Sequence, residues 1–248
     1  MSIADEVRRY WDVDSVGYDD VPHHHPTNAG EVAAWTAALA DLLPPSPSRV
    51  LDCGAGTGFL SLMAARLGHR VTALDLSAGM LERLRTKATA VGLDIEVIEG
   101  PAERPPAGPF DAVIERHLLW TLPDPVATLR AWRGVAPTGR LVLFEGSWGA
   151  TDPLERLRRR AQDRIIRVVS KGPRPSGHHA EYPDSLREAM PLGSGTTPEA
   201  LADAASHAGW AAPRLRRLRD VEWAMSLGLP LPERLLGVAP RFAIIAGS

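Results

Sequence analysis

The residues of this sequence that could bind a ligand begin with a glycine-rich run, Gly54-Ala-Gly56-Thr-Gly58, and with Asp75 further along the chain. Glycines let the backbone come close to a ligand, and the N–H groups of a turn that opens a helix can donate hydrogen bonds to it. A carboxylate such as that of Asp75 can accept hydrogen bonds from both hydroxyls of a ribose. Together the two features predict a nucleoside-binding site, with an ordinary tight turn and a helix cap as the alternatives.

A second group, Glu115, Arg116 and His117, places three ionisable residues directly after an apolar run. Histidine has a reference pKa of about 6.5, so His117 can take a proton at neutral pH and is the first candidate for a catalytic residue. Glu115 is the second. The alternative for His117 is a histidine that is only hydrogen-bonded in the interior, and Trp120 fits the core better than the wall of a substrate pocket.

Alternating strand-like and helix-like stretches between Arg49 and Ala136 contain both groups. This alternation predicts right-handed βαβ units and a parallel sheet with helices on both faces. Ligands bind such sheets at the carboxyl ends of the strands, and both groups follow predicted strands. The predicted strands are Arg49 to Cys53, Arg70 to Asp75, Ile95 to Glu99, Phe110 to Glu115 and Arg140 to Glu145, and helices are expected at Thr57 to Leu67, after Ser77 and after Asp124.

The flanking segments complete a single α/β, Rossmann-like domain over residues 1–248. Asn28 and Glu31 form a capping-box pattern at the start of a helix that precedes the first strand. The expected parts are an N-terminal helical lid at 1–45, a cofactor-binding core at 46–146, a helical cap insertion at 147–196, and a C-terminal helix and strands at 197–248, with the last strands near Arg214 to Val221 and Phe242 to Ala246.

The composition of the chain argues against a nucleic-acid-binding, a secreted or a membrane protein. The chain has 248 residues and a formal net charge of −2, which gives no overall attraction to nucleic acid. The eight Lys or Arg residues against three Asp or Glu between Thr151 and Arg174 fit a solvated helix face. Cys53 is the only cysteine, and neither a signal peptide nor a long apolar run is apparent. We therefore expect a soluble, cytoplasmic protein without a membrane or nucleic-acid partner.

The motifs VLDCGAGTGFLS and VTALDLSAGML resemble those of the class I S-adenosylmethionine-dependent methyltransferases, in particular small bacterial enzymes of the ubiquinone-methylase type. YWDVDSVGYDD, EGPAERPP, FDAVIERHLLWTLPDP and GRLVLFEG extend the resemblance over residues 8–147, and the last helix and strands add to it. It implies S-adenosyl-L-methionine as the cofactor and methyl transfer to an oxygen, nitrogen or carbon atom of a small molecule. It also implies a seven-stranded sheet in the order 3-2-1-4-5-7-6, with the last strand antiparallel.

The resemblance further implies which residues hold the cofactor. The glycine turn would contact its methionyl part, Asp75 its ribose, and residues after the second and third strands its adenine. Pro101 departs from the family, because many members have Asp at this position, and Glu103 is expected to take over the contact with the adenine amine. The implied cofactor-binding residues are Tyr18, Asp52, Gly54, Ala55, Gly56, Asp75, Leu76, Met80, Ala102, Glu103, Glu115 and Arg116.

Other functions stay open at this level. A nicotinamide oxidoreductase is disfavoured because Phe59 stands where a dinucleotide site needs Gly or Ala. An enzyme that uses the same cofactor for another reaction, such as a cyclisation, is compatible with the motifs, and so is a non-catalytic cofactor-binding module. No metal site is predicted, because adjacent histidines in the runs His23 to His25 and His178-His179 cannot all face one ion. The motifs do not specify the acceptor or the oligomeric state.

Overall fold

The computed structural model describes residues 3–21, 24–146, 184–193, 195–229 and 238–247, together with positions 148–149, 157, 160–161, 164, 231 and 234. Most of the predicted cap insertion, including most of the helix expected after Asp152, lies outside the described residues, and positions 157, 160–161 and 164 are helical. Within them the strands of the main sheet are β1 (Arg49–Cys53), β2 (Arg70–Asp75), β3 (Ile95–Glu99), β4 (Ala112–Arg116), β5 (Arg140–Gly146), β6 (Arg214–Arg217) and β7 (Arg241–Gly247).

The helices alternate with these strands along the chain. They are α1 (Ile3–Asp14), α2 (Ala29–Leu42), α3 (Phe59–Arg66), α4 (Ala78–Ala90), α5 (Pro125–Val135), α6 (Asp184–Glu188), α7 (Pro198–His207) and α8 (Arg219–Leu227). A two-residue antiparallel ladder also joins Trp148–Gly149 to Gly195–Thr196. No helix among the described segments combines the length and the apolar character that a bilayer crossing requires.

The sheet has the order β3-β2-β1-β4-β5-β7-β6, with β1 to β5 parallel and β7 antiparallel to both of its neighbours. This confirms the predicted order and the antiparallel last strand. The register sets Cys53 beside Glu115 and Arg116 beside Phe144. Consequently the carboxyl ends of β1, β2, β4 and β5 meet at one edge, where ligands bind in folds of this kind.

Alternate residues of each central strand face opposite layers of helices, so the sheet is buried on both sides. One layer contains α2, α3 and α8, and it packs on Val50, Val71, Ile114, Val142 and Ile245. The other contains α5 and α7, and it packs on Leu51, Leu74, Val113, Leu141 and Ile244. Nearly all of these strand side chains have less than 5% of their surface exposed, which makes the core a rigid base for the edge above it.

The predicted helix starts are largely confirmed by their caps. The side chains of Asn28, Ser77, Asp124 and Thr197 each accept a hydrogen bond from the backbone N–H group three residues later. The capping box at α2 is shifted by one residue, because Oε2 of Glu31 accepts from the N–H and Oγ1 of Thr27 rather than from Asn28. The helix after the glycine turn begins at Phe59 instead of Thr57, because Gly58 has a left-handed φ of 94°.

The strand predicted from Arg214 to Val221 is wrong in its second half. It ends at Arg217, and helix α8 follows from Arg219 and packs on α2. Val221, Ala224 and Met225 are buried at helical spacing. The contact with α2 decides in favour of the helix, and this contact is not visible in the local sequence.

Candidate active site

The turn between β1 and α3 needs glycine at three positions for different reasons. Gly54, Gly56 and Gly58 have φ values of 68°, 54° and 94°, a region that other residues rarely adopt. A Cβ atom on Gly54 would lie 2.9 Å from Leu118, and one on Gly58 would lie 2.8 Å from Leu84. No atom lies within 4 Å of the corresponding position at Gly56, which borders a cavity. The turn therefore packs on the protein at both ends and exposes its centre.

Asp75 at the end of β2 is bonded to this turn. Its Oδ2 accepts a hydrogen bond of 2.8 Å from the N–H group of Gly56, and its Oδ1 accepts one of 2.9 Å from that of Ser77. Asp75 thus also holds Ser77, the residue whose side chain caps the start of α4. Each carboxylate oxygen has two lone pairs, so the group that borders the cavity can still accept hydrogen bonds from a ligand. Burial raises the pKa of Asp75, while the backbone donors of Ser77, Gly56 and Leu76 oppose the rise.

A cavity of about 1020 Å³, measured out to its open mouth, lies over the carboxyl ends of β1, β2 and β4. Its size suits a nucleoside-sized ligand together with a small second molecule. The predicted site residues that line it are Tyr18, Gly54, Gly56, Asp75, Leu76, Met80, Ala102, Glu103, Arg116 and His117. The apolar Ile3, Val7 and Trp11 of α1 cover it, and Pro101, Leu118 and Leu122 complete the wall.

Three predicted site residues, Asp52, Ala55 and Glu115, are not among the lining residues. Asp52 is buried and accepts a 2.5 Å hydrogen bond from Oγ of Ser61, which ties α3 to β1. Ala55 packs in an apolar cluster with Leu84 of α4. Oε2 of Glu115 accepts a 2.8 Å hydrogen bond from the N–H group of Leu118 and so holds the loop after β4. Burial raises the pKa of Asp52 to about 7 and that of Glu115 to about 8.

His117 has a carboxylate partner that the sequence analysis missed. Nδ1 of His117 lies 2.8 Å from Oε2 of Glu145, a buried residue near the end of β5. His117 has a φ of 60°, a left-handed conformation that is uncommon for residues other than glycine. The signal in the sequence was the acidic Glu145 at the carboxyl end of the predicted fifth strand. In the sheet this strand lies beside β4, the strand that ends directly before His117.

A cluster of buried charges lies below His117. The guanidinium of Arg116 is 3.9 Å from the centre of the Phe59 ring and also faces Trp35. Burial lowers the pKa of Arg116, and Tyr18, Glu145, Glu31 and Glu115 act in the opposite direction. Burial raises the pKa of Glu145 well above its ordinary value, and the nearby Glu115 carboxyl adds to the rise. Phe59, where a dinucleotide site would have a small residue, here supports a buried cation.

The segment before α2 closes one side of the cavity with aromatic rings. Tyr18 lies edge-on to Trp11 at 6.2 Å and is stacked on His24 at 4.0 Å between ring centres. Burial raises the pKa of the Tyr18 hydroxyl to about 12, so this group stays protonated at neutral pH. His24 also borders the cavity.

Polar contacts fasten this N-terminal segment to the core. Oδ1 of Asp12 accepts hydrogen bonds from Oγ of Ser77 at 2.6 Å and from the N–H group of Gly79 at 3.3 Å, at the positive N-terminus of α4. Asp19 pairs with Lys87 at 2.7 Å and accepts a hydrogen bond from Oγ1 of Thr57. The N-terminal segment that covers the cavity is therefore bonded to Thr57 of the glycine turn and to α4 with its N-cap.

The predicted histidine runs lie only partly within the described residues. His23, His178 and His179 are outside them, and Nδ1 of His24 lies 2.9 Å from the carbonyl oxygen of Tyr18. Among the described residues no group of three or more His, Cys, Asp or Glu side chains is arranged to hold a metal ion.

The family model that matches this chain and two proteins of similar sequence are all methyltransferases. The model of a methyltransferase domain matches residues 51–143. A ubiquinone biosynthesis O-methyltransferase of Xanthomonas campestris pv. campestris strain B100 is 35% identical over 185 residues, which cover 72% of this chain and 70% of that protein. A protein-L-isoaspartate O-methyltransferase of Methylorubrum extorquens strain PA1 is 38% identical over 136 residues, which cover 54% of this chain and 56% of that protein.

Two solved structures show that the whole chain has a known fold. Magnesium protoporphyrin IX methyltransferase from Synechocystis PCC 6803 has a TM-score of 0.61 at 16% identity, over 98% of this chain and 99% of the other. The [4+2]-cyclase SpnF has a TM-score of 0.64 at 17% identity, over 99% of this chain and 96% of the other. At these identities the likeness describes the fold alone, and the fold is used both by a methyltransferase and by a cyclase.

Replacing Asp12 by Ala tests the fastening of the lid. Loss of the acceptor at the N-terminus of α4 is expected to weaken α1 docking by about 1 kcal/mol, so amide hydrogens of residues 3–14 should exchange about fivefold faster. Hydrogen exchange followed by mass spectrometry measures this. Asp20→Ala, which removes an exposed carboxylate from the same segment, is the control and should leave the exchange unchanged. Equal exchange in wild-type and Asp12→Ala protein would show that the apolar contacts alone hold the lid.

Proposed function

Because the chain belongs to the class I S-adenosylmethionine-dependent methyltransferase family, we propose that it methylates a hydroxyl group of a small molecule, with His117 as the base that accepts the hydroxyl proton. The family match and the ubiquinone biosynthesis relative support S-adenosylmethionine-dependent methylation of a small molecule. The hydroxyl and the role of His117 are the new elements. The observation that carries them is the 2.8 Å contact between His117 and Glu145 at the wall of the cavity.

The residues around the cavity fit the cofactor. S-adenosylmethionine supplies an electrophilic methyl group on a positively charged sulfur. The open centre of the turn at Gly56 offers backbone contact to its amino-acid part, and the carboxylate of Asp75 offers acceptors to its ribose hydroxyls. Leu76, Met80 and Ala102 give an apolar slot for the adenine, with Glu103 at its polar edge.

Ala102 is held in place from the core side, which makes the adenine slot rigid. The indole Nε1 of Trp132, fully buried in α5, donates a 2.8 Å hydrogen bond to the carbonyl oxygen of Ala102. The connection after β3 is rich in proline and forms no helix between Pro101 and Phe110. A rigid slot lowers the entropy lost on binding, and it supports the assignment of Ala102 and Glu103 to the cofactor.

A hydroxyl is a poor nucleophile until its proton leaves, so an enzyme that methylates one benefits from a positioned base. His117 borders the cavity at the carboxyl edge, beside the glycine turn. Glu115 was proposed from the sequence as a catalytic residue, but in this proposal it has a positioning role. Its carboxylate holds the backbone of Leu118, and the side chain of Leu118 packs against Gly54. The name of the Xanthomonas relative, an O-methyltransferase, agrees with an oxygen acceptor.

The proposal also covers location and partners. We place the enzyme in the cytoplasm, where its single cysteine, the buried Cys53, remains a thiol. The formal net charge of −2 favours a small-molecule acceptor over a nucleic acid.

Replacement of His117 by Asn tests the base. Asn tolerates a positive φ and so preserves the backbone at this position. We expect kcat for phenolic and enolic hydroxyls to fall by about 10²-fold to 10⁴-fold, while the Kd of S-adenosylhomocysteine changes less than about twofold. Transfer of a labelled methyl group to an acceptor panel and calorimetry measure the two quantities. His207→Asn, which changes an exposed histidine on α7, is the control. Undiminished transfer to hydroxyls by His117→Asn would contradict the proposal.

The buried carboxyl groups predict a pH dependence of cofactor binding. Burial raises the pKa of Asp52 to about 7 and that of Glu115 to about 8, so at lower pH these two carboxyl groups hold protons that a nearby cation would displace. S-adenosylmethionine should therefore bind about threefold to tenfold more tightly at about pH 7.5 than at about pH 5.5. S-adenosylhomocysteine, which lacks the charge on sulfur, should show a smaller change. Calorimetric titration of both ligands over this range checks the difference, and parallel pH profiles would exclude a role for these carboxylates toward the sulfonium.

A further inference from the structure

We propose that Glu145 is the positioning residue of His117, and that it selects the ring tautomer and the proton affinity that make His117 a base. This inference rests on the proposed function, since it concerns the same site. Glu145 was not predicted from the sequence. It does not line the cavity, so it acts on the acceptor only through His117.

The backbone brings the two residues together. The N–H group of His117 donates a 3.3 Å hydrogen bond to the carbonyl oxygen of Phe144, so the pairing of β4 with β5 continues for one residue beyond Arg116. The left-handed φ of His117 then turns the chain and leads into the loop that ends at Leu122. This geometry leaves Nδ1 of the ring 2.8 Å from Oε2 of Glu145. Glu145 is held in turn by the central sheet, because its side chain is completely buried.

The contact determines which nitrogen can act as the base. If the carboxylate of Glu145 accepts a hydrogen bond from Nδ1–H, the lone pair of the neutral ring is on Nε2. A proton taken from an acceptor hydroxyl then goes to Nε2, the O–H bond breaks, and the electron pair stays on the oxygen that attacks the methyl group. A proton on the carboxyl group instead would donate to Nδ1, and Nε2 would carry the hydrogen and be unable to accept another.

The charges around Glu145 favour an ionised carboxylate beside Nδ1–H when Nε2 of His117 takes up the proton. Its neighbours are Glu115 and Arg116 on β4, Arg241 on β7, and the N–H group of Gly146, with Glu31 and Tyr18 facing Arg116 from the lid side. A carboxylate buried in this way lacks solvation, and an imidazolium 2.8 Å away supplies a compensating charge. Formation of the imidazolium therefore converts a pair with net charge −1 into a neutral pair, which raises the proton affinity of His117.

Glu145→Gln tests the inference, because the amide keeps the shape and removes the charge. Nitrogen-15 NMR of histidine-labelled protein with S-adenosylhomocysteine bound reads the tautomer directly, with His117→Asn used to assign the signal. We expect Nδ1–H in the wild type and Nε2–H, or a mixture of tautomers, in Glu145→Gln. We also expect kcat to fall about 10²-fold with the KM of the cofactor nearly unchanged, and the acid limb of the pH profile to move to lower pH.

Two further variants separate positioning from a merely structural role. Glu222→Gln removes another carboxylate near β7, one that accepts a 2.8 Å hydrogen bond from the N–H group of Arg241 but does not contact His117. It should alter neither the tautomer nor the pH profile. Glu145→Asp should retain the Nδ1–H tautomer and part of the activity, and it serves as the test if Glu145→Gln does not fold.

The outcomes distinguish this inference from the proposed function. The same tautomer in wild-type and Glu145→Gln protein, or equal losses in Glu145→Gln and Glu222→Gln, would overturn the role of Glu145. A wild type that transfers no methyl group to any hydroxyl while showing the Nδ1–H tautomer would overturn the hydroxyl acceptor and leave the positioning of His117 standing.

Discussion

The hydrogen bond from the N–H group of Gly56 to Asp75 joins the two parts on which the site depends. It fixes the turn after the first strand to the end of the second, and the same carboxylate holds Ser77, whose side chain caps α4. The lid depends on this arrangement as well, because Asp12 binds the same helix start through Oγ of Ser77. One carboxylate at a strand end thus organises the ligand turn, a helix and the cover over the cavity.

The second constraint is the concentration of acidic groups beneath that edge. Burial of several carboxyl groups in one region is unfavourable unless cations or N–H groups compensate it. Arg116 and Arg241 supply part of the compensation, and burial lowers the pKa of both, that of Arg241 to about 10. A positively charged cofactor would supply more. Burying these carboxyl groups together therefore costs free energy in the unbound protein, and a bound cation would reduce this cost. Titratable groups with shifted pKa values are often found at functional sites.

Much of the fold and of the cofactor site could be predicted from the sequence, because the strands and the glycine turn are specified by residues close together in the chain. The first three strands have the predicted boundaries, since each is a short run rich in Val, Leu or Ile between turn signals. Helix α8, the contact of Asp12 with Ser77 and the partnership of Glu145 with His117 were not predicted. Each depends on two segments that meet only in the folded chain, 65 residues apart for Asp12 and Ser77 and 28 apart for His117 and Glu145.

Calorimetric titration of S-adenosylhomocysteine into wild-type and Asp75→Asn protein measures whether this carboxylate organises the cofactor site. Asn preserves the shape of Asp75 but replaces one acceptor oxygen by a donor, so it cannot hold both the turn and the ribose. We expect one binding site per wild-type chain and an affinity lower by about tenfold or more, or about 1.4 kcal/mol, in the variant. Equal affinities, or no binding by folded wild-type protein, would contradict this role of Asp75.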